Sequence, residues 1–225
     1  VEDQHFILAV APARCYSMAD AVNSATPRAW GLSTQLYALK RQGDGGFGDT
    51  RALAHFAQAA GERGADALAI SPMHAMFSCD PYRYSPYSPS SRLFLNSLYA
   101  APATVLGEVP VQRAIETCGL APELHRLEQL PLIDWPAATL AKQTLLRQLY
   151  EDFLLGEQPL LDDFLQFRDE GGEALENHCR FEALQAQHVA EQQSLDWRQW
   201  PEQWRDPDSP ALLIFAEEQA HNIGY

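Results

Sequence analysis

The stretch from Ala67 to Tyr99, ALAISPMHAMFSCDPYRYSPYSPSSRLFLNSLY, constrains the fold of this 225-residue chain more than any other. It opens with four apolar residues, Ala67 to Ile70, of the kind that forms a short buried parallel strand. Ser71 and Pro72 end that run. In the segment that follows, Tyr82, Tyr84 and Tyr87 alternate with Pro81, Pro86 and Pro89. Repeated proline removes backbone donors and clashes with a preceding helical turn, so no regular helix fits. The segment is also too aromatic for a disordered linker. A rigid loop carrying tyrosine faces and hydroxyls at the carboxyl end of a strand suits a sugar, whose rings offer flat C–H faces and many hydroxyls. The same composition also suits a buried loop whose tyrosines only pack.

Upstream, Trp30 to Leu39 reads as a second strand, buried on both faces because its alternation is imperfect. Thr50 to Gly61 reads as a helix capped by Asp49, with Leu53, Phe56 and Ala57 on one face. Strand, helix and the strand at Ala67 form one right-handed βαβ unit. Between the first strand and the helix, Gly43 to Gly48 formally satisfies G-x-G-x-x-G. Three features count against dinucleotide binding. Lys40, Arg41 and Gln42 intervene before the first glycine. Asp44 and Asp49 place negative charge where a pyrophosphate would sit. No acidic residue follows the second strand, Asp66 preceding it instead.

Phe6 to Val10 is expected to be a short buried strand. From Ala101 the chain turns helical: Val111 to Cys118, then Pro136 to Leu155 with Gly156 beyond it, then Leu160 to Phe167. Gly171-Gly172 divides that helix from the next, over Glu173 to Gln192. Ser209-Pro210 opens the last one. Trp197, Trp200 and Trp204 are read as staples holding a loop to neighbouring helices, the other use of such a cluster being a sugar platform.

The segments Ser85-Pro86-Tyr87-Ser88-Pro89-Ser90-Ser91-Arg92, Leu95-Asn96 and Tyr99 resemble the 4-α-glucanotransferase (amylomaltase, disproportionating enzyme) family. Trp30-Gly31-Leu32, Gln35-Leu36-Tyr37, Gly46-Phe47-Gly48-Asp49 and Pro72-Met73-His74-Ala75 match it in the same order. The resemblance implies an α/β fold: the first strands of a partial (β/α)8 barrel with a large helical insertion. Residues 1–28 would be the tail of an N-terminal β domain or a barrel lead-in. Residues 29–110 would be the first βαβ part with the sugar-groove loop, and 111–225 the helical insertion. It also implies transfer of α-1,4-glucan segments between maltodextrins by a retaining double displacement. That mechanism needs a carboxylate nucleophile and a carboxylic acid about 5–5.5 Å apart.

No segment here matches the family's catalytic carboxylates, so no catalytic residue is expected within this chain, and the chain alone is expected to be inactive. Glu151, Asp152, Asp162, Asp163, Glu173, Glu176, Glu217 and Glu218 read as solvated faces. By resemblance, Tyr87 is the platform for the sugar on the donor side of the scissile bond, and Ser85 bonds nearby. Tyr84 and Tyr82 are the two candidates for a second stacking role. His74 either donates to a sugar hydroxyl or bonds a neighbouring loop. Asn96, with Arg92, belongs to the groove and holds the loop in shape.

Lys+Arg 16 against Asp+Glu 30 gives a net charge of −14, which excludes the basic footprint that nucleic acid or an anionic membrane requires. No apolar run approaches the roughly 18 residues of a membrane span, and no secretion signal opens the chain. Cys15, Cys79, Cys118 and Cys179 are scattered and expected to be free thiols in a reducing cytoplasm. The other histidines lack metal-ligand spacing, and neither metal nor cofactor is expected. The expected partners are α-1,4-glucans and maltooligosaccharides, with self-association possible through uncovered strand edges. The chain opens on Val1 rather than Met and is expected to be a piece of a longer protein. A non-catalytic, helix-rich glucan-binding or scaffolding module is the alternative reading.

Overall fold

The computed structural model describes residues 8–156 and 160–225. A single turn of helix, α1 (Met18–Ala21), precedes β1 (Gly31–Thr34). Helix α2 (Thr50–Glu62) then leads to β2 (Ala67–Ile70). β1 and β2 pair in parallel, Gly31 opposite Ala67 and Thr34 opposite Ile70. Gly31 is needed there because a Cβ would fall 2.5 Å from the Ala67 carbonyl oxygen. A β-α-β arrangement with adjacent parallel strands is therefore present, as the apolar runs and the intervening amphipathic pattern require.

The first strand is shorter than the run Trp30 to Leu39. Beyond Thr34 the chain tightens into a 3-10 turn, Leu36–Ala38. The Leu36 N–H is taken by the Ser71 hydroxyl at 3.1 Å, just past the end of β2. The ladder ends because a side chain, not a strand, accepts the next donor. The two strands are also not buried on both faces: Gly31, Leu32 and Ser33 are exposed, as are Ala67 and Ala69. Two strands alone leave faces and edges that further elements would have to cover. Of the strand expected over Phe6–Val10, Phe6 and Ile7 lie outside the described residues. Leu8 to Val10 form no strand, and Leu8 and Val10 are exposed.

Asp49 caps α2 as its position predicts, accepting from the Ala52 N–H at 2.9 Å. The inward face runs through Ala52, Leu53, Phe56 and Ala60, whereas Ala57 is exposed. The expected face was therefore rotated slightly too far. After β2, the two-residue strand β3 (His74–Ala75) pairs antiparallel with β4 (Ser91–Leu95), with an irregular register between His74 and Ala75.

The rest is helical: α3 (Ala103–Leu106), α4 (Glu108–Thr117), α5 (Ala121–Glu128), α6 (Trp135–Leu155), α7 (Leu161–Ala190), α8 (Pro210–Glu218) and α9 (Ala220–Gly224). Asp134 caps α6 and Pro136 occupies its first turn. α7 is broken at Gly172 (φ 51°, ψ −151°), the place where the glycine pair divides the pattern into two helices. Ser209 caps α8 by accepting from the Leu212 N–H.

Three apolar clusters hold these elements together. The first joins the strand unit to the helices through Leu36, Phe47, Tyr99, Leu127, Ala138 and Ala141. The second packs Val111 and Ala114 of α4 on Leu145 and Leu149 of α6. The third gathers Leu184, Trp200, Leu212, Phe215 and Ile223. Trp200 and Trp204 pack in or against that third cluster, and the Trp200 indole N–H donates to the Ser194 carbonyl at 2.7 Å. They staple the 191–209 connection to the helices, while Trp197 is half-exposed.

Candidate functional site

Two loops lie beyond β1 and β2, one after the 3-10 turn that follows β1 and one between β3 and β4, and their local chemistry differs. The glycine loop, 40–49, is closed on itself. Asp44 accepts from the Gly46 N–H at 2.7 Å, and the Gly43 and Gly45 N–H groups both donate to Glu128 Oε1 at 3.0 and 3.2 Å. Gly46 has φ +80°, and a Cβ there would meet the Leu127 carbonyl oxygen at 2.5 Å. Asp49 is fully buried and paired with Arg41 through Nη2 at 2.5 Å and Nε at 3.1 Å. Burial opposes its ionisation. Arg41 and the Ala52 N–H nonetheless hold the carboxyl below the usual aspartate range. Burial pushes the nearby Lys142 ammonium down, partly offset by Asp49. A nest of N–H groups that could take a phosphate is thus filled by the protein's own carboxylates.

The tyrosine loop, 76–90, is an Ω-shaped excursion between β3 and β4. Its ends are tied where Ser90 N–H donates to the Ala75 carbonyl at 2.8 Å. Within it, turns join Phe77 to Asp80, Asp80 to Arg83 and Ser85 to Ser88. The Arg83 guanidinium lies 3.7 Å above the Phe77 ring. Pro86 is buried beneath the loop, while Tyr82 and Tyr87 are 75% and 65% exposed. Two large aromatic rings held out by a proline-braced loop are free to receive a ligand face.

The candidate residues fall into two groups. Tyr84 stacks on Trp135 at the start of α6, with ring centroids 4.9 Å apart and planes 8° from parallel. Trp135 in turn meets Tyr37 and Phe47 edge-on, and Phe47 stacks on Tyr99. Tyr84 therefore caps an aromatic column, half of its surface remaining exposed. Asn96 is buried, and its Oδ1 accepts from the Leu98 N–H at 3.0 Å, capping a 3-10 turn. Tyr84, Trp135 and Asn96 line an open, mainly apolar cleft of about 1660 Å³ bounded by β4, α6, α7 and α8–α9. His74, Ser85 and Tyr87 are not in its lining. His74 is half-buried in β3, and Ser85 and Tyr87 face outward from the loop.

Trp135 escaped sequence reasoning because it reads only as the residue before a helix-opening proline. The side chains that hold the loop were also not foreseen. Glu182, Gln185 and Gln143 reach it from α7 and α6 across 65 to 106 residues of sequence, and no local pattern announces such contacts.

Of the acidic residues read as solvated faces, Asp152 and Glu176 are half-buried and bonded to Gln148 and Arg180 on their own helices. Asp162, Asp163, Glu173, Glu217 and Glu218 are exposed. Glu151 is paired with His221 at 2.8 Å and Arg147 at 3.2 Å, contacts that pull its carboxyl below the ordinary range, the His221 bond most. A general acid needs a shift in the opposite direction. Among the described residues no group of His, Cys, Asp and Glu is arranged to hold a metal ion, and all four cysteines are unpaired. Among the described residues no helix is long and apolar enough to cross a membrane.

Comparison with known proteins gives a consistent result. The sequence profile of the 4-alpha-glucanotransferase family matches residues 34–225. The protein named 4-alpha-glucanotransferase in Mycobacterium bovis is 30% identical over 207 residues, covering 88% of this chain, and that of Mycobacterium tuberculosis H37Rv gives the same figures. The Haemophilus influenzae protein of that name is 27% identical over 193 residues, covering 79% of this chain. The chain spans 28% of the length of the mycobacterial relatives and 27% of the Haemophilus one.

Proposed function

The chain belongs to the 4-alpha-glucanotransferase family, and from that premise we propose that it is the donor-groove segment of a longer cytoplasmic enzyme. That enzyme transfers α-1,4-glucan segments between maltooligosaccharides by a retaining double displacement. In this reading β1, α2 and β2 are the opening of a (β/α)8 barrel, the elements beyond residue 110 are a helical insertion, and the catalytic carboxylates lie outside this chain. The functional face of such a barrel is at the carboxyl ends of its strands, the side from which the chain runs on past β1 into the glycine loop and past β2, through β3, into the tyrosine loop.

The observation that carries the proposal is the tyrosine loop. Tyr87 stands exposed on a proline-braced turn, an aromatic face available to a sugar ring whose transition state flattens and gains positive charge. Ser85 lies two residues away on the same turn, and His74 sits at its base. Asp49 and Glu151 are held below the ordinary carboxylate range, the direction opposite to that of a general acid, which supports placing the chemistry elsewhere. The high negative charge is compatible with a neutral substrate.

The test uses the full-length protein. Tyr87→Ala is expected to lower kcat/KM for maltotriose about ten- to a thousandfold, equivalent to about 1.4–4 kcal/mol of lost transition-state contact. Disproportionation at the wild-type rate by a folded Tyr87→Ala enzyme would show that the ring only packs. Glucose release by the 225-residue chain alone, abolished by replacing one of its own carboxylates, would overturn the placement of the chemistry.

A further inference from the structure

The tyrosine loop is short of internal anchors at its first turn, and the anchors come from helices far along the sequence. The Ser78 N–H and hydroxyl both donate to one oxygen, Glu182 Oε2 on α7, at 3.0 and 2.6 Å. The Gln143 side-chain amide of α6 donates to the Ser78 carbonyl at 2.6 Å. The Cys79 thiol donates to Gln185 Oε1 at 3.2 Å, and Gln185 is itself 1% exposed and held by the Leu195 carbonyl. Burial, reinforced by Glu182, pushes the Cys79 thiol up to about 12, so it stays a neutral donor. Every polar group of the Ser78 backbone and side chain is therefore taken by a helix side chain. The second oxygen of Glu182, Oε1, is buried with no partner among the described residues. A buried carboxylate oxygen without a partner is costly, and here it is retained on a half-buried side chain that grips the loop twice.

We propose that Glu182 is a positioning residue for glucan transfer, gripping Ser78 so that the turns from Phe77 to Ser88 present Tyr87 in a fixed orientation. This rests on the reading of the tyrosine loop as the donor groove. The mechanical path is continuous: Ser78 lies in the Phe77–Asp80 turn, which leads into the Asp80–Arg83 turn. Tyr84 is then pinned on Trp135, and the Ser85–Ser88 turn carries Tyr87. Charge-assisted bonds from one carboxylate to an N–H and an O–H are the stronger kind, which suits a grip of this sort. A platform free to swing loses the near-attack geometry it should enforce.

The experiment measures Glu182→Ala, Glu182→Gln and Ser78→Ala in the full-length protein, each alone and combined with Tyr87→Ala. Glu182→Ala is expected to lower kcat/KM for maltotriose about tenfold, a scale typical of lost positioning. Glu182→Gln keeps an oxygen acceptor and should recover most of that loss. In the Tyr87→Ala background, Glu182→Ala should cost less than about twofold, because the ring it positions is gone. Hydrogen exchange over residues 76–90 should rise in Glu182→Ala while that of α2 is unchanged. An equal loss in both backgrounds, unchanged activity, or unchanged exchange in the loop would overturn the proposal. If Glu182→Ala does not fold, Ser78→Ala, which removes the hydroxyl bond to Glu182, carries the same comparison. Full activity in Tyr87→Ala would sink the donor-groove reading instead, and the exchange arm would still decide whether Glu182 holds the loop.

Discussion

The glycine loop lies beyond the parallel strand β1 and the tyrosine loop joins the antiparallel strands β3 and β4, and both carry a sequence pattern associated with ligands. They end in opposite conditions. In the glycine loop the backbone donors are spent on Asp44 and Glu128, and the one full carboxylate–guanidinium pair is buried. In the tyrosine loop the backbone is folded into small turns, and the large rings of Tyr82 and Tyr87 face out. The lesson is that a motif's donors matter only if the fold leaves them free. A G-x-G-x-x-G loop whose N–H groups already hold carboxylates is a structural clamp. An aromatic loop whose rings are uncovered remains a surface for recognition.

The contrast predicts that changes in the glycine loop act on stability and changes in the tyrosine loop act on binding. The largest effect is expected from Asp49→Ala. It removes the α2 cap and strands the half-buried Arg41 beside Lys142, and losing cap and pair together should cost about 2–4 kcal/mol, less than the full cost of breaking a fully buried pair. Denaturant unfolding that shows less than about 1 kcal/mol of loss would contradict the clamp, since that is within the range of a cap alone.

A smaller effect is expected from Glu128→Ala, which leaves the Gly43 and Gly45 donors unpartnered. It should cost about 1–3 kcal/mol, because Gly45 is buried and loses its acceptor. If the vacated nest then binds inorganic phosphate by calorimetry while the parent protein does not, the comparison is sharpened: the carboxylate alone was keeping the anion out.

Acid should separate the two loops as well. The folded-state carboxyl of Asp49 is held below its ordinary value, so its contribution is fully present above the unfolded value and fades as pH drops through the folded one. Thermal stability should accordingly decline below about pH 4, and Asp49→Asn should flatten that decline. An unchanged acid limb in Asp49→Asn would show that other carboxylates dominate it. The smallest effect is expected from Tyr82→Ala, whose ring is largely solvated: stability should change by about 0.5 kcal/mol or less. A larger loss on unfolding would make the tyrosine loop a second structural clamp and erase the contrast.

Local pattern was enough for much of the architecture. The apolar run at Ala67, the capped amphipathic segment after Asp49, the proline-opened helix at α6 and the glycine break at Gly172 all appear where the sequence puts them. These features depend on neighbours within a few residues: caps, prolines and periodicity act on the nearest turn. Family membership was legible for a related reason, since several short motifs keep their order along the chain and the family profile covers 34–225. The length of β1 was not legible, because its end is set by the Ser71 hydroxyl, 35 residues away.

By itself the sequence determined β2, the capped helix α2, the helix α6, the glycine break in α7 and a proline-rich loop that offers tyrosines. Only the tertiary structure decided which donors are spent and which rings are free. Glu128 fills the glycine nest from the end of α5, Trp135 takes one face of Tyr84, and Glu182 grips Ser78 from 104 residues away. The physical reason is that burial and partnership belong to pairs of residues. One chain of letters specifies each member of a pair, and only folding brings the two within the roughly 3 Å at which a hydrogen bond forms.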